Sequence, residues 1–327
     1  MTKLGLRLGL LLVVVAAIAA LVIPRLRAQN APPWINQDDN WATNRGKLQA
    51  FGERFATSDA MYEFLREQAH GGKPLTWAQL GEPAYDWSGV YTRTRLSLHY
   101  DLDLPPESGP TSAKLTPAGQ AVVKAKADHL ARTGGEYDPL SDCRPPGVPR
   151  WYTEPFLKEY AITPNQTWLM NEMVNDVRRV YTDGRSHTPD DDAYPSANGD
   201  TIGFWDGDVL VAHTKFLMKG QYQRGVEPNY SEQTTVTERW HKVDPKTLQA
   251  DVWVFDPEHL EKPWYTRQSW TRLENDDKHL RLGYWDCREN PNNNIVVTDQ
   301  GTSQFPKFSF VGNDAAPSSG PAAKKAQ

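Results

Sequence analysis

The chain has 327 residues, 39% of them hydrophobic and 24% charged, which is enough apolar side chain to bury a real core. Its formal charge is −5, and loss of a leader ending at Ala28 would remove the four cations Lys3, Arg7, Arg25 and Arg27 and leave −9. That sign argues against a nucleic-acid partner and against dependence on a polybasic membrane contact.

Residues 1–28 read as a secretory leader. Lys3 and Arg7 precede an apolar run of 16 residues, Leu8 to Ile23, short for a spanning helix and ordinary for an export signal. Leu26 and Ala28 suit cleavage after Ala28, while Arg25 and Arg27 leave an uncleaved anchor as the alternative. The protein is therefore expected in the periplasm or outside the cell, or else facing the periplasm with membrane association through residues 4–23. Residues 29–114 read as an N-terminal extension packed on a main β-rich domain at 115–313, with a disordered tail at 314–327.

Residues 29–45 suggest an extended lead-in. Ser58 caps an expected helix to Gln68, striped by Met61, Phe64 and Leu65 and stopped at Gly71-Gly72. Val90 to Tyr100 alternates as a strand. Thr116-Pro117 opens a second helix that runs to about Arg132 before Gly134-Gly135. Asp138 to Arg150 has no regular period and reads as an ordered crossing segment. Strands follow at 168–173 and 177–182, then at 201–205 and 209–218 around Asp206-Gly207, the strongest hairpin signal in the chain. A further hairpin, 234–243 with 249–255, turns at Asp244-Pro245-Lys246-Thr247, and 264–273 is expected to pair with 279–285.

About nine strands with short returns, 23 glycines, 25 prolines and 12 tryptophans indicate a mainly β fold. The expected form is an antiparallel meander closing into a lipocalin-like β-barrel with two or three peripheral helices, with a β-sandwich as the alternative. No Gly-x-Gly-x-x-Gly or phosphate loop supports a nucleotide-binding fold. Cys143 and Cys287 are the only cysteines, and an even pair in an exported chain is a disulfide candidate.

An ordered set of motifs runs from Leu115 to Asn293. Asp138-Pro139 leads into Cys-x-Pro-Pro-Gly-x-Pro-Arg at Cys143 to Arg150, then Arg-x-Tyr-Thr-Asp-Gly-Arg at Arg179 to Arg185 and Gly-x-Trp-x-Gly-Asp-x-Leu-Val at Gly203 to Val211. Ser231-Glu232, Glu238-Arg239 and Cys-x-Glu-Asn at Cys287 to Asn290 complete it. This stretch resembles a large family of exported bacterial β-rich proteins to which no common activity is assigned, so the resemblance implies architecture and export without a chemistry. Asp206 stands where those proteins more often have Glu, and His213 where a second acidic residue is common.

Five residues are candidates for acid–base catalysis: Asp206, Asp208, His213, Glu238 and His241. Asp206 and Asp208 are equally explained by hairpin geometry around Gly207, and His213 by a satisfied core histidine. Strand parity couples Arg239 with His241, and Glu238 with Trp240, so only one pair faces inward. Arg179, Arg185 and Arg239 are candidate holders of an acidic ligand group, with turn stabilisation by Asp183-Gly184 as the competing explanation. Trp205, Trp240, Trp253 and Trp270 are candidates to line a pocket. Asp190-Asp191-Asp192 beside His187 lacks the alternating spacing of a calcium loop, so no metal is assigned, and no cofactor is implied. The leading expectation is a barrel whose cavity binds a small, partly apolar organic ligand. The alternatives are a hydrolase, dehydratase or isomerase using that cavity, and a structural or interaction module of the envelope.

Overall fold

A computed structural model describes residues 41–94, 114–134, 138–222, 229–274, 281–286, 296–297 and 303–304. The leader, residues 95–100 of the first expected strand, Cys287 and the C-terminal tail lie outside the described residues. The chain divides into two compact units, Met1–Phe51 and Gly52–Gln327. In the first begins the helix α1 (Trp41–Gly52), where an extended lead-in was expected. Its apolar residues form no stripe, so periodicity gave no sign of it.

The second unit is a closed barrel. Its strands are β1 (Val90–Arg93), β2 (Lys158–Ile162), β3 (Gln166–Asn171), β4 (Asp176–Tyr181), β5 (Asp200–Asp206), β6 (Val209–Lys215), β9 (Thr235–Lys242), β10 (Thr247–Phe255) and β11 (Trp264–Arg272). The intervening β7 (Gly220–Gln221) and β8 (Asn229–Tyr230) pair only with each other, as do β12 (Val296–Val297) and β13 (Ser303–Gln304). Around the ring the order is β1-β11-β10-β9-β6-β5-β4-β3-β2. Nine strands cannot alternate direction all the way round a closed ring, so one junction must be parallel. That junction is β4–β5, joined only at Tyr181 opposite Ile202, and it makes the barrel mixed rather than a pure antiparallel meander.

The expected pairing of Trp264–Leu273 with 279–285 does not occur. β11 pairs with β1 instead, Trp270 opposite Arg93. The described residues 281–286 form no strand, and Trp285 exchanges backbone hydrogen bonds with the Asn175 side chain. β1 lies ahead of Leu115 and closes the ring between β11 and β2, so part of the expected extension is barrel wall. β2, which carries Lys158 and Glu159 among its five residues, was not foreseen.

The helices follow the sequence signals closely. α2 (Ser58–Gln68) is capped by Thr57, whose hydroxyl accepts from the Ala60 N–H at 3.1 Å, not by Ser58. α3 (Pro117–Thr133) is capped by Thr116 and ended by Gly134 in the left-handed region.

Alternation sorts the strands into two faces. Leu210, Ala212, Val236, Trp240, Leu248, Ala250, Val252, Val254, Trp264 and Trp270 point into one interior cluster. The turn at Arg150–Tyr152 inserts Trp151 and Tyr152 among them. Trp240 stacks on Trp270 with ring centres 5.0 Å apart and planes 13° from parallel. Trp151 lies 6.2 Å from Trp240 and 6.1 Å from Trp270, and Tyr160 is 5.9 Å from Trp240. All four side chains are buried, and their rings fill the space a ligand was expected to occupy. The small organic ligand expected inside the barrel is therefore a correction: the interior is packed core.

A second correction concerns the membrane. Among the described residues no helix is long and apolar enough to cross one, so the association expected through residues 4–23 gains no support, and those residues themselves lie outside the description. Of the expected cysteine pair only Cys143 is described. It stands at φ +59 after the short helix Pro139–Asp142 and is no free thiol. Cys287, its expected partner, lies outside the described residues.

Candidate functional site

The barrel wall separates Glu238 from the other four acid–base candidates. Glu238 and Trp240 take the inward parity, and Arg239 and His241 the outward one. Glu238 is fully buried and ion-paired with Arg178 of β4, whose Nη1 lies 2.8 Å from Oε1. The Tyr152 hydroxyl and the Trp240 indole N–H also donate to Glu238, the latter at 2.9 Å. Arg178 reaches Thr214 Oγ1 at 2.7 Å as well. Burial alone would lower the Arg178 pKa, but the adjacent Glu238 carboxylate outweighs it and holds the guanidinium charged. Glu238 has its acceptors occupied by structural donors, so it acts as the polar centre of the core.

Asp206 and Asp208 bracket Gly207 at the β5–β6 turn, where Asp206 is exposed and Gly207 takes φ +61. His241 and Arg239 are buried on the outer face, with Arg239 directly opposite Asp251. Asp251 is held below the usual carboxylate range; burial works against this, and Arg267 at 2.7 Å together with the Tyr265 hydroxyl at 2.6 Å overrides it. Trp253 packs on that outer face against Tyr265, while Trp205, Trp240 and Trp270 belong to the core. Arg179 is exposed over the Trp168 ring at 4.6 Å, and Arg185 pairs with Asp183 at 2.6 Å. These two arginines serve local strand and turn geometry. Asp190–Asp192 form an exposed short helix, and His187 turns away from them toward Asp200.

His213 is the candidate with the most developed surroundings. It points outward from β6, beneath α2, and Tyr62 of that helix stacks on it at 5.1 Å. Its Nε2 is 2.8 Å from Ser58 Oγ, and its Nδ1 is 2.9 Å from His187 Nε2. His187 Nδ1 in turn lies 3.1 Å from Asp200 Oδ2, which also accepts the Thr188 N–H at 2.8 Å. The Ser58 hydroxyl donates to Thr235 Oγ1 of β9 at 2.6 Å.

With the Ser58 hydroxyl rotated from Thr235 to His213, one proton assignment runs from Asp200 to Ser58 with neutral imidazoles. Asp200 accepts from His187 Nδ1–H, His187 Nε2 accepts from His213 Nδ1–H, and His213 Nε2 accepts from the Ser58 hydroxyl. The hydrogen bond from His187 is the main cause that holds Asp200 below its ordinary range. Burial first, and then the neighbouring His187, push His213 down to about 3, so it stays an acceptor at neutral pH. The chain has an ionised end, partly open to solvent at Asp200, and a buried end at a serine hydroxyl.

That buried end abuts a cleft. Ser58 and Thr235 line a concavity of about 340 Å³ whose walls include Ala56, Phe255, Pro257, Leu260 and Pro263. A second cleft of about 350 Å³ sits at the parallel junction, between Val177–Arg179 and Ser196–Thr201. Among the described residues no group of His, Cys, Asp and Glu is arranged to hold a metal ion.

The sequence reading named His213 but missed its partners. In the sequence Ser58 carries a helix-cap signal, His187 stands beside the acidic run, and Asp200 and Thr235 carry no signal. The only usable hint was that His213 interrupts an apolar strand on its Val209 and Val211 face. No known family model matches this chain, and no curated protein matches it significantly.

Proposed function

We propose that this is an exported β-barrel that serves the cell envelope as a structural or interaction module, working through its outer wall and not by carrying a molecule inside. The observation that carries this reading is the packed interior: the Trp151, Tyr160, Trp240 and Trp270 rings and the Arg178–Glu238 pair occupy the space a carrier leaves for cargo. Export rests on the leader composition and on the resemblance of the 115–293 stretch to exported β-rich proteins.

Native mass spectrometry of the protein extracted gently from the envelope fraction of its producing cells tests the reading. The expected result is a chain mass with no released organic species, recovered in an assembly larger than the monomer. A molecule of fixed mass freed only on denaturation would overturn it in favour of a carrier.

A further inference from the structure

We propose that Ser58, His213, His187 and Asp200 form a serine nucleophile site for hydrolysis of carboxylic esters with a small, uncharged acyl group. Stability alone needs no such extension, because Thr235 Oγ1 already accepts the Ser58 proton at 2.6 Å. Here the His213 acceptor is itself polarised through a second histidine to a carboxylate, which is the arrangement that turns a weak hydroxyl into a nucleophile. The links of 2.8, 2.9 and 3.1 Å are all within proton-transfer reach.

Thr57 performs the capping of α2, and this leaves Ser58, one residue on, to face His213. The N–H groups of Ser58 and Asp59 open the helix and have no carbonyl within it to receive them. Ser58 and Asp59 both line the cleft, so an oxyanion developing beside Ser58 would lie at the positive end of the helix dipole. Ala56, Phe255, Leu260 and Pro263 give the cleft an apolar part suited to a short acyl group, beside the charged Asp59, Asp256, Glu261 and Lys262.

The step balances with water as co-reactant. Ser58 Oγ bonds to the ester carbonyl carbon as its proton passes to His213 Nε2, and the His213 Nδ1 proton moves to His187 Nε2. The cation then rests on His187 beside Asp200 instead of on the more deeply buried His213. Collapse breaks the carbon–alkoxy bond, and the proton returns along the chain to the leaving alcohol. Water then attacks the acyl-serine, gives its proton to the same chain, and releases the acid and the Ser58 hydroxyl.

The test treats the folded full chain with a fluorophosphonate, which phosphonylates activated serines, and locates the adduct by peptide mapping; p-nitrophenyl acetate serves as turnover probe. The proposal expects a single adduct on Ser58, lost in Ser58→Ala. It also expects labelling and turnover slowed at least tenfold in His187→Gln and Asp200→Asn, with melting temperatures held within a few degrees. A purely structural chain would shift melting without any labelling. An unmodified Ser58 in the folded chain overturns the proposal, and so does an adduct formed equally fast in His187→Gln. The wild-type labelling result stands even if a variant fails to fold.

Discussion

Glu238 on β9 lies directly opposite Ala212, the residue before His213 on β6, yet Glu238 and His213 occupy opposite sides of the barrel wall. Inside, Glu238 is locked to Arg178, Tyr152 and Trp240. Outside, His213 joins Ser58 and His187. One residue of strand register thus separates a core ion pair from a polarised serine.

The inner pair is expected to be a stability element. Glu238→Ala leaves the Arg178 guanidinium buried and uncompensated and should cost about 3–5 kcal/mol. Tyr152→Phe removes one hydrogen bond to the pair and should cost about 1–2 kcal/mol. Urea unfolding measures both, and a loss below about 1 kcal/mol for Glu238→Ala would show that the core does not depend on the pair.

Acid should weaken the fold through His213. Its folded pKa lies below the unfolded value of 6.5, so the unfolded chain binds the extra proton and stability falls as pH drops below about 6.5 toward about 3. Facing groups set the balance: His187 and Lys215 disfavour the cation, and Asp59 and Asp200 favour it. Melting curves from pH 7 to 4 should fall more steeply for the wild type than for His213→Gln; parallel curves would remove His213 from the account.

Lys158 works in the opposite pH range. It is fully buried on β2 with Nζ 4.6 Å from the centre of the Trp151 ring, and burial pushes it down to about 7. The unfolded chain, with a pKa near 10.5, holds that proton more tightly, so stability rises as pH climbs from about 7 to about 10.5. Lys158→Met should therefore stabilise at pH 7 by about 1–3 kcal/mol, by analogy with other buried charges replaced by apolar groups, and the gain should fade by pH 10.5. A destabilised variant at pH 7 would contradict this.

At the β5–β6 turn the glycine should matter and the aspartate should not. Gly207→Ala forces a side chain into φ +61 and should cost about 1 kcal/mol. Asp206→Ala, on an exposed residue, should stay within about 0.5 kcal/mol. Equal losses at both positions, read by thermal unfolding, would return a capping role to Asp206.

Local chemistry by itself determined much of this protein. Period-two alternation placed β5, β6, β9, β10 and β11, Asp206-Gly207 and Asp244–Thr247 marked their turns, and Thr116-Pro117 and Gly134 bounded α3, because these signals depend on a few neighbouring dihedrals. Parity also said that Glu238 would travel with Trp240. What parity cannot give is the sign, since inside and outside are defined only once the ring closes. Ring closure made β1 the partner of β11, forced the parallel junction at β4–β5, and filled the interior with the Arg150–Tyr152 turn, all contacts between residues far apart in the chain. The Ser58–His213–His187–Asp200 chain is of the same kind: 155 positions separate Ser58 from His213. No sequence period reports a distance that only the packing of α2 on the outer wall creates.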